Sequence, residues 1–166
     1  QILDSNKVFD IHKELNIKTN HKLIVYQGVV QKHRGVGQLI NLISQSHGFS
    51  AIIIGDGEEK KYYKELVKKY NVQDKVFFIG KIPYLNLFQY TLACDVGWLV
   101  IKGHGISNQL ALPNKLFEYA TAGLPIISSS LTNMKKIVEQ HNLGVVVNEN
   151  NIEEQLAGLE KIKKDF

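Results

Sequence analysis

Residues 107–130 carry the side chains of this chain that are best suited to holding a phosphate-bearing ligand. Pro113 suits the first turn of a helix, because its missing amide hydrogen would have no partner there. A helix is therefore predicted to begin near Asn114, after a loop that contains glycine and asparagine. The unpaired amides and the positive dipole end of such a helix attract phosphate, so we expect an anion to bind at this loop.

Glu118 is the single acidic residue between Asp95 and Glu139. It shares a helix face with Asn114, four residues earlier, and its carboxylate can accept hydrogen bonds from two hydroxyl groups. The neighbouring hydroxyls of a ribose present that arrangement. Alternatively, Glu118 lies on the solvent face of an amphipathic helix or pairs with Lys115, three residues earlier. The residue types alone do not separate these two interpretations.

Arg34 is the only arginine in the chain, and it stands beside Gly35 near the start of a predicted helix. Its fork of donors matches phosphate oxygens, which favours a phosphate clamp, although an exposed loop arginine is the alternative.

The six-residue glycine pattern of dinucleotide sites is absent. The GDG sequence at residues 55–57 is more typical of a turn. The histidines lack the i, i+4 pairing of a helical metal site, and the GxSxG motif is missing.

An alternation of apolar strands with helices positions these residues. Strands are predicted at 22–28, 51–57, 75–80, 95–101, 124–128 and 143–147. Helices are predicted at 35–46, 58–71 and 85–93, from about 114, at 133–140 and at 152–164. In the second helix Tyr62, Leu66, Val67 and Tyr70 are predicted to face the sheet.

This pattern predicts an α/β fold, a doubly wound Rossmann-like parallel sheet of about six strands with helices on both faces. In open sheets of this kind ligands bind at the carboxyl ends of the strands. Arg34 and Gly80 lie in loops that follow strands, and the helix of Glu118 begins directly after another such loop. We therefore expect these three residues to gather at that edge.

The composition is that of one ordinary domain over residues 1–166, with 44% hydrophobic residues. The net charge of +4 comes almost wholly from lysines spread along helices, which does not favour a nucleic-acid partner but leaves an anionic membrane surface open. Cys94 has no partner for an internal disulfide and stands in an apolar context, which indicates a buried residue and a reducing compartment. The sequence shows neither an eighteen-residue apolar run nor a signal peptide.

The order of these motifs resembles the carboxy-terminal, donor-binding half of retaining glycosyltransferases with the GT-B fold, the large group 1 (family 4) type that includes sucrose synthases and many bacterial envelope-glycan enzymes. The resemblance covers about residues 22–156 and is most specific in LPNKLFEYATAGLPI. It implies that Glu118 binds the ribose hydroxyls and that Arg34 and Lys115 stabilise charge on the leaving diphosphate. It further implies a donor-binding set of Gly28, Gly80, Lys81, Ile82, Ala111, Leu112, Asn114 and Glu118, in which loop amides at 111–112 hold the diphosphate and the 80–82 loop contacts the base.

Two positions depart from the pattern of this family. The family has two glutamates separated by seven residues, and the first falls on Leu110, which cannot accept a hydrogen bond through its side chain. The family also has an arginine just after the first-strand glycine and a lysine before the next glycine. Here these places hold Val29 and Arg34, so one cation is lost and one charge is kept.

The resemblance implies transfer of a sugar from a UDP-, GDP- or ADP-sugar to a glycan or lipid-linked acceptor with retention of configuration, without a bound metal or other cofactor. The amino-terminal acceptor domain is expected to be absent from this chain, so the isolated domain is expected to be inactive. Family habit suggests a bacterial, cytoplasmic enzyme of cell-envelope polysaccharide synthesis, with peripheral contact at the inner face of the membrane left open. The alternatives are a non-catalytic nucleotide-binding or regulatory module, favoured by Leu110, and a nucleotide-sugar epimerase of the same fold.

Overall fold

A six-stranded parallel sheet forms the centre of the computed structural model, which describes residues 9–17, 20–103, 110 and 112–166. Its strands are β1 (Lys22–Gln27), β2 (Phe49–Ile54), β3 (Val76–Gly80), β4 (Val96–Leu99), β5 (Ile126–Ser129) and β6 (Gly144–Val147). They are arranged in the order β3-β2-β1-β4-β5-β6, and every pair is parallel. This arrangement confirms the predicted doubly wound sheet.

Helices connect the strands and cover both faces of the sheet. They are α1 (Ile11–Glu14), α2 (Val36–Gln45), α3 (Lys60–Lys69), α4 (Tyr84–Leu92), α5 (Asn114–Thr121), α6 (Thr132–Gln140) and α7 (Ile152–Asp165). One core lies under α2, α3 and α7 and contains Trp98, while the other lies under α1, α5 and α6 and contains Tyr119. The alternating crossovers of a parallel sheet place helices on both faces in this way.

Some predicted details are wrong. The second strand was expected to run to residue 57, but β2 ends at Ile54, because Gly55 has φ +135° and turns the chain. The helix α1 was not predicted, since a four-residue helix capped by Asp10 is too short to show a periodic pattern. On α3 the buried residues are Tyr63 and Val67, whereas Tyr62 is 59% exposed. The prediction was therefore right for Val67 and for Leu66, which packs against the core, and wrong for Tyr62 and Tyr70, which are exposed.

Two glycines fix the loop that follows β1 against the loop that follows β2. A Cβ atom on Gly55 would lie 1.9 Å from the carbonyl oxygen of Gly28, and one on Gly57 would lie 2.2 Å from that of Val30. The amide of Val30 also donates to the carbonyl oxygen of Asp56 at 3.0 Å. The GDG sequence therefore acts as a packing turn that determines where the β1 loop lies.

Cys94 is buried and unpaired, as expected. Its burial, and to a smaller extent the charge of Asp95, raises the pKa of its thiol.

Among the described helices none combines the length and the apolar character that crossing a bilayer requires.

Candidate functional site

Glu118 is tethered to the end of β1. It lies on α5, which begins at Asn114 directly after Pro113, and its side chain is half-buried. The Nε2 group of Gln27, the last residue of β1, donates a hydrogen bond to Oε2 of Glu118. Among the described residues Glu118 has no ion-pair partner, which does not support a pair with Lys115. Its hydrogen bond to Gln27 shows that it does not simply face solvent.

Gln27 is itself held in place by residues from two other elements. Its side chain is buried, at 4% exposure, and its Oε1 accepts a hydrogen bond from the hydroxyl of Thr91 on α4 at 2.9 Å. Its backbone amide donates to the hydroxyl of Tyr119 at 3.1 Å, and that hydroxyl donates to the carbonyl oxygen of Val25. The carboxylate of Glu118 is therefore positioned by a buried chain of hydrogen bonds.

Lys115 lies one helical turn before Glu118 and points over an aromatic ring. Its ammonium is 4.2 Å from the centroid of the Tyr26 ring, a cation–π contact. Loss of hydration lowers the pKa of Lys115 to about 7; the charge of Arg34 acts in the same direction and that of Glu118 opposes it. The Tyr26 hydroxyl donates to the carbonyl oxygen of Val29 at 2.6 Å, so the same ring supports the β1 loop.

Arg34 is exposed in the loop between β1 and α2. Its charge lowers the pKa of both Lys115 and Tyr26, although burial dominates each group and raises the pKa of Tyr26 overall. The backbone beside Arg34 is fixed, because Trp98 Nε1 donates to the carbonyl oxygen of Gly35 at 2.8 Å and a Cβ on Gly35 would lie 1.9 Å from the oxygen of Val100. The two predicted cations are thus close enough for the charge of one to affect the pKa of the other.

The loop predicted to contact a base lies farther along the same edge. Gln27 is level with Ile54 in β2, and Ile54 is level with Gly80 in β3, so Gly80 is two strand spacings, about 10 Å, from Gln27. Gly80 accepts a hydrogen bond from Gly55, Lys81 is exposed, and Ile82 packs against the core. Gly28 directly follows Gln27 and is exposed.

The remaining predicted residues surround the start of α5. Leu112 and Asn114 are exposed, whereas Ala111 falls outside the described residues. Leu110 is 56% exposed, and its carbonyl oxygen accepts a hydrogen bond from Nδ2 of Asn133 at 2.8 Å. This hydrogen bond attaches the backbone of Leu110, the position where the family has a glutamate, to the start of α6.

A small cleft opens beside Glu118. It has a volume of about 250 Å³ and is lined on one side by Gln27 and Glu118 and on the other by α4. The residues that α4 contributes are mostly apolar and include Tyr84, Leu85, Leu87, Phe88 and Thr91. Tyr84 and Leu85 are among the most exposed large apolar side chains of the described chain. An apolar wall facing a carboxylate suits a ligand with a flat ring and adjacent hydroxyl groups.

The described part of the chain holds no group of three or more His, Cys, Asp or Glu residues placed to bind a metal ion. The arrangement offers a fixed hydrogen-bond acceptor at Glu118 and two cations, Arg34 and Lys115, whose charges interact. Together these features can hold a molecule that carries hydroxyl groups at one end of a short span and negative charge at the other.

Sequence reasoning missed Gln27, Tyr26 and Thr91. Gln27 offered a signal, because it is a polar residue at the carboxyl end of a strand whose four preceding residues are apolar. Tyr26 and Thr91 offered none, since their roles depend on contacts with Lys115 and Gln27 that are distant in sequence.

Known proteins resemble this chain in sequence and in fold. The sequence model of the family described as "Glycosyl transferases group 1" matches residues 7–165. The chain is 27% identical over 148 residues to an uncharacterized glycosyltransferase of Haemophilus influenzae, covering 86% of this chain and 40% of that protein. It is 26% identical over 135 residues to the O-antigen biosynthesis glycosyltransferase WclY of Escherichia coli, covering 81% of this chain and 36% of that protein.

Among solved structures, HepE of Anabaena in complex with UDP superimposes with a TM-score of 0.77 at 19% identity, covering 93% of this chain and 42% of that chain. At this level of identity the likeness shows the fold. The chain spans about two fifths of the length of these relatives.

Proposed function

The chain belongs to the glycosyl transferases group 1 family, and from this premise we propose that it forms the donor-binding part of a retaining glycosyltransferase. In this proposal the complete enzyme transfers a sugar from a nucleoside diphosphate sugar to a glycan or lipid-linked acceptor. The observation that carries the proposal is the tether between Gln27 and Glu118, which holds a carboxylate beside an apolar cleft and near two cations.

Each of these groups has a separate task. Glu118 accepts hydrogen bonds from the ribose hydroxyls, and the α4 wall and the backbone around Lys81 contact the base. Arg34 and Lys115 face the diphosphate, where they stabilise the negative charge that grows as the glycosidic bond breaks. The low pKa of Lys115, about 7, means that a bound diphosphate draws a proton onto it. HepE, whose structure contains UDP, supports a nucleotide as the ligand class.

The donor-binding residues alone do not complete an active site in this proposal. The acceptor is bound by a further domain of the complete protein, so this chain by itself binds the nucleotide and turns over little. The relationship to WclY supports envelope polysaccharide synthesis as the process, and the buried free thiol of Cys94 fits a cytoplasmic location.

Calorimetric titration of this chain with UDP, GDP and ADP tests donor binding. One of the three should bind, and Glu118→Ala should weaken that binding by about 1–3 kcal/mol through loss of the ribose contact. Unchanged affinity in the variant, or no binding of any of the three, would contradict the proposal. Transfer by this chain at the rate of the complete enzyme would contradict the assignment of the acceptor to another domain.

Leu110 favours a second candidate function, a nucleotide-binding module without transferase activity. This leucine is exposed and offers only its backbone oxygen, which Asn133 already contacts. Assays of the full-length protein separate the two functions. For each nucleotide that binds, the corresponding nucleotide sugars are offered as donors. A binding module neither transfers nor hydrolyses their sugar, whereas a transferase does.

A further inference from the structure

A second and larger cleft lies on the other side of the β1 loop. It has a volume of about 660 Å³, within the range of small-molecule sites, and shares no lining residue with the cleft beside Glu118. Its floor is the first half of α2, one wall is α3, and the other wall is the start of α7. We call it the α2 trough and define it by Gly37, Gln38, Asn41, Tyr62, Tyr63 and Gln155.

The floor of the α2 trough is neutral and polar. No residue of α2 is charged, in a chain with 20 Lys and Arg and 16 Asp and Glu residues. Gln38 and Asn41 supply amide groups, which can both donate and accept hydrogen bonds. Gly37 leaves room for the Tyr63 ring against α2, since a Cβ there would lie 3.2 Å from that ring. This floor suits a ligand with many hydroxyl groups and no charge.

The α3 wall presents an aromatic surface. Tyr62 is 59% exposed, and its ring lies 5.3 Å from that of Tyr63 in an edge-on arrangement. Exposed tyrosines combine a flat apolar face with a hydroxyl group, so they can contact the C–H face of a sugar ring and one of its hydroxyls together.

The α7 wall contains an unsatisfied acceptor. Gln155 is 1% exposed, and its Nε2 donates to the carbonyl oxygen of Asn148 at 3.0 Å. Its Oε1 has no hydrogen-bond partner among the described residues. A buried acceptor without a partner is costly and calls for an explanation. Gln155 lines the α2 trough, so a small shift of its side chain would let a ligand hydroxyl there supply the missing donor.

The charges at the rim do not favour an anion. Two lysines, two glutamates and one histidine line the trough, namely Lys32, Lys102, Glu59, Glu149 and His33. The ammonium of Lys32 is 3.6 Å from the carboxylate of Glu59, so part of the positive charge is already paired. A phosphate would meet a carboxylate for every lysine, whereas a neutral ligand meets no repulsion.

From these observations we infer that the α2 trough binds a neutral oligosaccharide at a site separate from the nucleotide. Tyr62 stacks against a sugar ring, the amides of Gln38 and Asn41 bind hydroxyl groups, and Gln155 Oε1 accepts one hydrogen bond. The inference depends on the trough alone and holds whether or not Glu118 binds a ribose.

NMR titration of this ¹⁵N-labelled chain tests the inference, with maltotriose, cellotriose and triacetylchitotriose as neutral probes and inorganic phosphate as the anionic probe. At least one trisaccharide should shift the amide signals of α2, α3 and the start of α7 in a saturable way. Tyr62→Ala should weaken that binding about tenfold. Gln155→Met should weaken it as well and leave the fold intact, because the substitution removes the unpaired acceptor and water can bind the carbonyl oxygen of the exposed Asn148 in place of Nε2.

Phe166→Ala is the matched control, since Phe166 is a similarly exposed aromatic residue that does not line the trough. It should leave trisaccharide binding unchanged. No shift with any of the three trisaccharides, equal binding in the Tyr62 and Phe166 variants, or tighter binding of phosphate would each overturn the inference. A trisaccharide that shifts only the signals around Glu118 would overturn it too.

Discussion

Replacing Gln27 with methionine should weaken the binding of a nucleoside diphosphate, because Gln27 donates the hydrogen bond that holds the carboxylate of Glu118. Methionine has a similar length and can occupy the buried position, but it offers no donor. The cation–π contact of Lys115 with Tyr26 is not touched by this substitution. The change therefore isolates the position of one carboxylate.

The size of the effect follows from the burial of the two partners. Removing the donor to a charged acceptor costs about 1.5–3 kcal/mol where water cannot replace it. Glu118 is half-buried and faces a cleft, so water replaces part of the lost bond. We expect a loss of about 1–2 kcal/mol in binding, or roughly five- to thirtyfold in Kd. Thr91 keeps a partner, since its hydroxyl also donates to the carbonyl oxygen of Leu87 at 3.1 Å. The free energy of unfolding should consequently change by less than about 1 kcal/mol.

A double-mutant cycle measures whether Gln27 acts through Glu118. Calorimetry with the nucleotide that binds best gives Kd for the wild type, Gln27→Met, Glu118→Ala and the double variant. The Gln27 substitution should cost nothing once Glu118 is alanine, so the coupling energy should equal the whole effect of the single substitution. Gln140→Met, at an exposed glutamine on α6, is the matched control and should bind like the wild type.

Two results would refute this reasoning. If Gln27→Met binds the nucleotide within twofold of the wild type, the tether does not position the carboxylate for the ligand. If the substitution weakens binding equally with and without Glu118, Gln27 affects binding through the general shape of the site.

The remaining predictions concern charge and backbone. Lys115 has a pKa of about 7 in the unliganded chain, and a bound diphosphate raises it, so binding should take up a proton and Kd should increase as the pH rises above 7. Titrations in two buffers of different ionisation enthalpy measure this proton uptake, which Lys115→Met should remove. An equal uptake in that variant would show that the proton does not go to Lys115. The pKa of Lys115 in the folded chain lies below the ordinary lysine value of 10.5, so the unfolded chain binds more protons between pH 7 and 10.5. Urea denaturation should therefore show a free energy of unfolding that rises with pH over that range, and the rise should be smaller in Lys115→Met. Arg34→Ala should weaken UDP binding about tenfold or more in calorimetry and change uridine binding by less than about twofold, whereas equal losses for both would show that Arg34 does not contact phosphate. Gly55→Ala should lower the free energy of unfolding by at least about 3 kcal/mol, because its Cβ would lie 1.9 Å from a backbone oxygen at φ +135°. Gly48→Ala, at φ +75° with no heavy atom within 4 Å, should cost only about 1 kcal/mol in the same denaturation assay, and similar losses for the two would contradict the packing argument.

The fold could be predicted from the sequence because each strand is a short apolar run followed by a turn residue and an amphipathic helix. The start of α5 at Asn114 was predicted correctly, since Pro113 marks the boundary by a local rule. The face of α3 was predicted only in part: Leu66 and Val67 pack as expected, but Tyr62 and Tyr63 are both compatible with a sheet-facing helix. Only the packing of Tyr63 beside Gly37 decides between them.

The candidate site was predictable in part. Glu118 and Arg34 stood out as the one acid of a long segment and the one arginine of the chain. That Lys115 lies over an aromatic ring, and that Glu118 has a buried donor, depends on the register that brings the end of β1 beside α5. Such contacts join residues about ninety positions apart and leave no local signature in the sequence.

The chain of hydrogen bonds from Thr91 through Gln27 to Glu118 limits how far this acid can be transplanted. Its three members come from α4, β1 and α5, which are separate stretches of the polypeptide. An engineer who grafts residues 107–130 onto another parallel-sheet protein moves the carboxylate without its donor. The graft works only if the recipient strand in the place of β1 also ends in glutamine. The helix in the place of α4 must also carry a hydroxyl group at the turn that Thr91 occupies here. What looks like a portable motif in the sequence is therefore a property of the whole sheet edge.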